Sequence, residues 1–316
     1  MKGTLKGTET VTSPLQESAL SKKGLCDYVI NIASGCLHGC TFCYVPSTPA
    51  IRTRQALLSD KGVKNPQMDW GKYLFLRNKA PEQLSKILEK KRTWKTTNSG
   101  KGVVLLCSGT DPYQNSQTAF LTRKIVKLLI ASNKRVRILT RSPLWTKDLD
   151  VLSHPNITIG MSLPHFDDSL SKLIEPSAPP PSVRFKALLE GRKAGCRLFI
   201  AAAPTPPSLK EKDFTEYLEK VITINPEIIF WEPINARGTN GSRMQQAGIS
   251  FVTSVMTQKS WAHNFLQQWE MLNNAAQKVG CLDKLHIWPD KALKKFTDPQ
   301  KVEYWINRPT IETWST

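Results

Sequence analysis

The sequence predicts an α/β chain, a partial (β/α)6 barrel with a helical C-terminal cap. Short apolar runs of strand length alternate with amphipathic helical stretches between residue 28 and about residue 235, the pattern of parallel strands flanked by helices. About six such units can be counted, short of the eight that close a full barrel. Beyond Gly241 the strand-like runs stop, and a long helical stretch leads into a tryptophan-rich tail.

Residues 1–25 are polar and lysine-rich without periodicity, and read as a mobile or wrapping arm. The barrel is expected over residues 26–240. Its first strand is the apolar run from Tyr28 to Ala33, and a cysteine-bearing loop follows at once. Tyr73 to Leu76 is a second strand, followed by an amphipathic helix from Pro81 to about Lys91. The polar stretch 93–102 is a loop, and the next strand ends at Cys107 in the turn Ser108-Gly109-Thr110-Asp111-Pro112. A helix over about Ser116 to Ser132 precedes strands from Val136 to Thr140 and from Ile157 to Met161. The helical pattern from Pro181 to Ala194 is closed by Gly195. A strand from Leu198 to Ala202, a helix over about Leu209 to Ile224 and a strand from Glu227 to Trp231 complete the series. The extension, 241–316, reads as helix from about Phe251 to Val279, with tryptophans as core anchors in the tail.

Composition bounds the function. Forty per cent hydrophobic content over 316 residues supports a substantial core. No run has the length of a membrane span, and the first residues lack the apolar stretch of a signal peptide. The expectation is therefore a cytoplasmic protein without a membrane partner. Seven cysteines, an odd number with three close together, argue against a disulfide framework. The net charge of +18 attracts polyanions such as nucleic acid or an acidic peptide. The basic residues are scattered, with small clusters at residues 89–95, 134–137 and 291–295, and a merely solvated basic surface is the alternative.

The sharpest chemical signal is CLHGCTFCYVP, from Cys36 to Pro46. Thiolates at Cys36, Cys40 and Cys43 can face one point from a single loop, which suits three corners of a [4Fe–4S] cluster and leaves one iron open. A zinc knuckle is the competing reading; it needs a fourth ligand, from His38 or a remote cysteine such as Cys26. Several strand ends also carry more polar or special residues than a core requires. These are the SGTDP turn, Thr140-Arg141-Ser142, Met161-Ser162-Leu163, Glu175 to Pro179 with Arg184 beyond, Ala203 to Pro207, and Trp231 to Gly238. Active sites of such folds lie at the C-terminal edge of the strands.

The C-x3-C-x2-C spacing resembles the signature of the radical S-adenosylmethionine (SAM) superfamily. The order of the cysteine loop, the TDPYQ turn, the TRS strand end and the EPxAP segment, over Tyr28 to about Asn235, resembles its spore photoproduct lyase-like branch. The resemblance implies a [4Fe–4S] cluster on Cys36, Cys40 and Cys43, with SAM on the open iron as the source of a 5′-deoxyadenosyl radical. It implies that the Phe42 region packs on the adenine, and that Ser108, Gly109 and Thr110 offer partners to the SAM amino group. Arg141, where relatives often carry lysine, would pair with the SAM carboxylate. Ser162 would meet the ribose. Glu175 and Arg184 are expected as an ion pair near the cofactor, with Arg184 also a candidate SAM contact.

Cys107 ends a strand where the DNA-repairing lyases carry a hydrogen-donating cysteine, but the turn after it here is one residue longer. A small buried hydrophobe is the plain alternative. The expected substrate is a ribosomally made precursor peptide, modified as by the spliceases of this branch with a small partner protein that grips the leader. Cys26, Cys107, Cys196 and Cys281 are dispersed, so no auxiliary cluster domain is expected. DNA carrying a thymine dimer is the alternative substrate. A non-catalytic iron–sulfur binding protein is the third reading.

Overall fold

The computed structural model describes residues 4–90, 93–94, 96–97 and 100–308. The strands that position the site are β1 (Leu5–Thr8), β2 (Leu15–Glu17), β3 (Tyr28–Ile30), β4 (Ala33–Ser34), β5 (Tyr73–Leu76) and β6 (Val104–Leu106). They continue with β7 (Val136–Thr140), β8 (Ile157–Ser162), β9 (Arg197–Thr205), β10 (Ile229–Pro233) and β11 (Leu285–Ile287). The central sheet has the order β11-β10-β9-β8-β7-β6-β3-β2. All neighbours in it are parallel except β2, which pairs antiparallel with β3 at one edge. Among the described residues its two edges do not pair, so the barrel is open. Strands covered on both faces read as continuous apolar runs, and β8 is buried at all six of its residues.

The covering helices are α1 (Ala80–Leu88), α2 (Ser116–Ala131), α3 (Asp168–Ile174), α4 (Pro181–Lys193), α5 (Glu211–Ile222), α6 (Asn240–Gln246), α7 (Gln258–Val279) and α8 (Pro299–Asn307). Asn115 and Thr118 form a reciprocal capping box that starts α2, whose Leu121, Ile125, Val126 and Leu129 enter the core. Among the described residues no helix is long and apolar enough to cross a membrane.

Three elements differ from the sequence expectation. Tyr73–Leu76 does not join the central sheet; it pairs with β1 and β4 in a separate three-stranded sheet. The seventh parallel strand is instead β11, inside the tail expected to be helical. At three residues it is too short to show a period of its own, and the exposed edge of β10 supplies its ladder. The long C-terminal helix starts only at Gln258, because Thr257 is an extended N-cap paired reciprocally with Ser260.

The arm wraps. Besides the β1 and β2 pairings, Glu9 is buried between Arg77 Nε at 2.7 Å and Arg54 Nη2 at 2.8 Å. Trp261, Trp269 and Trp305 are buried as anchors, whereas the tail sequence from Ile311 onward and basic residues 91–92 lie outside the described residues.

Candidate cofactor site

The cysteine loop leaves β4 through Gly35, whose φ of +95° places a virtual Cβ 2.2 Å from the Tyr73 carbonyl oxygen, so only glycine fits there. The loop is then tied down from several elements. Leu37 N–H donates to Gln114 Oε1 at 2.6 Å, and Thr41 N–H to the Ile174 carbonyl at 2.9 Å. From α6, Asn240 Nδ2 donates to the Phe42 carbonyl at 2.7 Å and Arg243 donates to the Cys43 carbonyl.

All three loop cysteines are free thiols; Cys36 and Cys40 are buried and Cys43 partly so. Burial pushes the Cys40 thiol up to about 12, pushes Cys36 well above its ordinary value, and raises Cys43. A buried thiolate is thus unfavourable unless a cationic group arrives to hold it. The surroundings are nonetheless arranged for anionic sulfur. Against burial, hydrogen bonding from the His38 backbone lowers the Cys36 thiol, and that from the Val45 backbone and the Trp70 side chain lowers Cys43. Arg141 and Arg243 add positive charge. Such donors are what tune sulfur-bound iron. Among the described residues no group of three His, Cys, Asp or Glu side chains is placed to hold a single metal ion. The donor set and its surroundings fit a cluster held by three thiolates.

The turn after β6 is locked against both neighbours. The Ser108 and Gly109 amides donate to Asn31 Oδ1 at 3.0 and 2.6 Å, and the Thr110 hydroxyl donates to the Gly35 carbonyl at 2.5 Å. An ammonium group needs acceptors, so the role implied for these residues falls to their hydroxyl and carbonyl oxygens.

Asp111 organises the region. It accepts from Tyr113 N–H at 2.8 Å, Thr140 Oγ1 at 2.7 Å and Arg141 N–H at 2.8 Å, and lies 3.2 Å from His38 Nε2. Burial alone would raise its carboxyl, but His38 and these donors hold it down at about 2.

Arg141, at the end of β7, sits 5.5 Å over the Phe42 ring and donates through Nε to Glu175 Oε1 at 2.6 Å. The expected contact to a SAM carboxylate is therefore left to its Nη edge. Glu175 and Arg184 do form the expected ion pair. Arg184 also donates to the Pro179 carbonyl at 2.7 Å and the Ser162 carbonyl at 3.0 Å. With all three nitrogens committed and no exposure, Arg184 stands behind the site, where it braces Ser162 and Glu175. Each of its three nitrogens makes one hydrogen bond within the protein, so the expected SAM contact by Arg184 would fall to its two remaining N–H groups. Ser162 is buried at the end of β8.

Cys107 is buried in the main core; burial pushes its thiol up to about 12, outweighing a lowering by hydrogen bonding from the Ile32 backbone.

Sequence reasoning gave no role to Asn31, Asp111, Gln114, Asn240 or Arg243, and considered His38 only as a zinc ligand. The TDPYQ run held a signal for Asp111 and Gln114. Nothing in the sequence connects Asn240 or Arg243 to a loop about two hundred residues earlier.

A model of the radical SAM superfamily matches residues 30–221. An uncharacterised protein of Acidianus two-tailed virus is 33% identical over 221 residues, covering 67% of this chain and 69% of its own. A Mycobacterium tuberculosis protein is 25% identical over 200 residues, covering 62% of this chain and 54% of its own length. Among solved structures, a cysteine-to-serine mutant of spore photoproduct lyase matches with TM-score 0.62 at 14% identity, covering 89% of this chain and 80% of the lyase. A doubly substituted form with bound AdoMet and dinucleoside spore photoproduct matches at 0.59 and 12% identity, with the same coverage. At these identities the likeness is one of fold.

Proposed function

Because the chain belongs to the radical SAM superfamily, we propose that Cys36, Cys40 and Cys43 hold a [4Fe–4S] cluster that works with SAM on a lesion or modification in DNA. The observation that carries the chemistry is the buried, donor-lined triplet of free thiols at the C-terminal edge of an open parallel sheet. When bound, cluster and SAM supply a hydrogen-abstracting 5′-deoxyadenosyl radical. The chain's own work is to position and to exclude water. Phe42 offers an apolar face beside the triplet, Arg141 a cation for a carboxylate, and Ser108 and Thr110 hydroxyl oxygens for an ammonium. Glu175 and Arg184 keep Arg141 and Ser162 in place from behind.

DNA is favoured as substrate by the shared architecture over 89% of the chain with a lyase that binds a dinucleoside photoproduct; the net charge of +18 suits DNA and an acidic peptide alike. A precursor peptide delivered by a leader-binding partner is the second reading. Cys107 supports it: the thiol packs in the core, and a radical that resolves by fragmentation within a peptide needs no donor cysteine.

Anaerobically reconstituted enzyme, reduced and supplied with SAM, tests both levels. Methionine and 5′-deoxyadenosine should be released. Ultraviolet-irradiated DNA and a short precursor peptide encoded beside the gene are then offered in parallel and the products weighed. Turnover of the peptide alone overturns the DNA reading, and a chain that binds zinc stoichiometrically and no iron overturns the whole.

A further inference from the structure

Two arginines bring charge to the cysteine triplet, and they are not equivalent. Arg141 shares the carboxylate of Glu175 with Arg184. Arg243 has no carboxylate partner among the described residues; the acidic groups that face it are the thiols of Cys43 and Cys40 and the Tyr73 phenol. It sits on α6, outside the residues matched by the family model. Nη1 donates to the Gln67 carbonyl at 2.7 Å and to Thr239 Oγ1 at 3.1 Å, and Nη2 donates to the Cys43 carbonyl. Nε is buried without a partner. A buried cation is costly unless an anion compensates it. The protein supplies no carboxylate here, and neutral thiols do not fill that role.

We propose that Arg243 is the charge-compensating residue of the cluster and sets how readily it is reduced. The inference rests on the cluster reading above. Three thiolates on a doubly positive [4Fe–4S] core leave one net negative charge, and one electron from an external low-potential reductant makes it two. No bond forms or breaks in that step. A fixed cation held against Cys43 favours the more negative state, so Arg243 raises the reduction potential. It acts through the ligand loop and is a positioning residue, outside any contact with substrate.

The test uses full-length wild type, Arg243→Gln and Arg243→Lys, reconstituted anaerobically without SAM. Iron and sulfide are counted first, and each cluster is then titrated with dithionite through redox dyes while absorbance and the reduced-state paramagnetic signal are followed. Arg243→Gln should keep its iron yet show at least a tenfold loss in the reduction equilibrium, about 59 mV to lower potential for one electron. Arg243→Lys should recover most of that shift, which a purely structural clamp would not do. Wild-type and Gln titrations within threefold of each other at equal iron content overturn the proposal. If Arg243→Gln loses its cluster, Arg243→Lys decides: full iron in the lysine variant supports the charge role, and equal loss overturns it. Failure of the underlying cluster reading is distinct, because it appears as iron-free wild type.

Discussion

Replacing Glu175 by glutamine tests the bracing of the site most directly. The carboxylate has no exposure and bridges Arg141 Nε at 2.6 Å and Arg184, with Ser171 Oγ donating at 2.9 Å. Burial alone would push the carboxyl up, but the two arginines outweigh it and hold it at about 2 against an ordinary 4.5. At roughly 1.4 kcal/mol for each tenfold change in proton affinity, that difference corresponds to about 3 kcal/mol of stabilisation. The sign follows from the depressed value. The stabilisation is present above about pH 4.5 and is lost as pH falls toward about 2. Glutamine keeps the volume but strands the buried guanidinium of Arg184 and the partly buried one of Arg141, and breaking a buried pair costs about 3–5 kcal/mol. For a chain of this length the unfolding entropy is on the order of 0.7 kcal/mol/K, so Glu175→Gln should lower Tm by about 4–7 °C at pH 7.5. Anaerobic melting of the full chain followed by circular dichroism measures it. Asp111, also held at about 2, titrates in the same acid window, so the wild-type minus variant difference isolates Glu175. A variant melting within about 1 °C of wild type would show that the bridge contributes nothing, and the bracing role given to Arg184 would fall with it.

The remaining expectations concern the cofactors and Cys107. Each of Cys36→Ala, Cys40→Ala and Cys43→Ala should lose the complement of about four irons, as counted chemically and by the brown absorbance; Cys196→Ala and Cys281→Ala should keep it. Arg141→Ala should weaken SAM about ten- to 150-fold by calorimetry on cluster-loaded enzyme, the loss of a charge-assisted pair of about 1.5–3 kcal/mol. An unchanged affinity would assign the carboxylate to another group. Cys107→Ala should cost about 1 kcal/mol, as a small truncation in a core does. Product masses then decide its chemistry: unchanged products mean that Cys107 only packs, and adducts or aborted products mean that it donates hydrogen.

What was legible in the sequence divides along a physical line. Strands buried on both faces announce themselves as apolar runs, so β7 to β10 fall within about three residues of expectation. The cysteine loop and the Glu175–Arg184 pair are legible because their partners lie near in sequence or carry opposite charge at a strand end. β5 and β11 were misplaced for one reason: short strands owe their sheet to whichever edge is available, and that is decided by the arm at one side and by β10 at the other. The inner support of the site was hidden for a related reason. Asn31 binds two amides of the turn after β6, and Asn240 and Arg243 bind two carbonyls of the cysteine loop. A backbone partner leaves no mark on side-chain identity, so such contacts have no sequence pattern, however short the hydrogen bond. The side chains that hold the ligand loop are therefore those least visible beforehand. This is why the C-terminal segment, read as a cap, turns out to contribute residues within reach of the cysteines themselves.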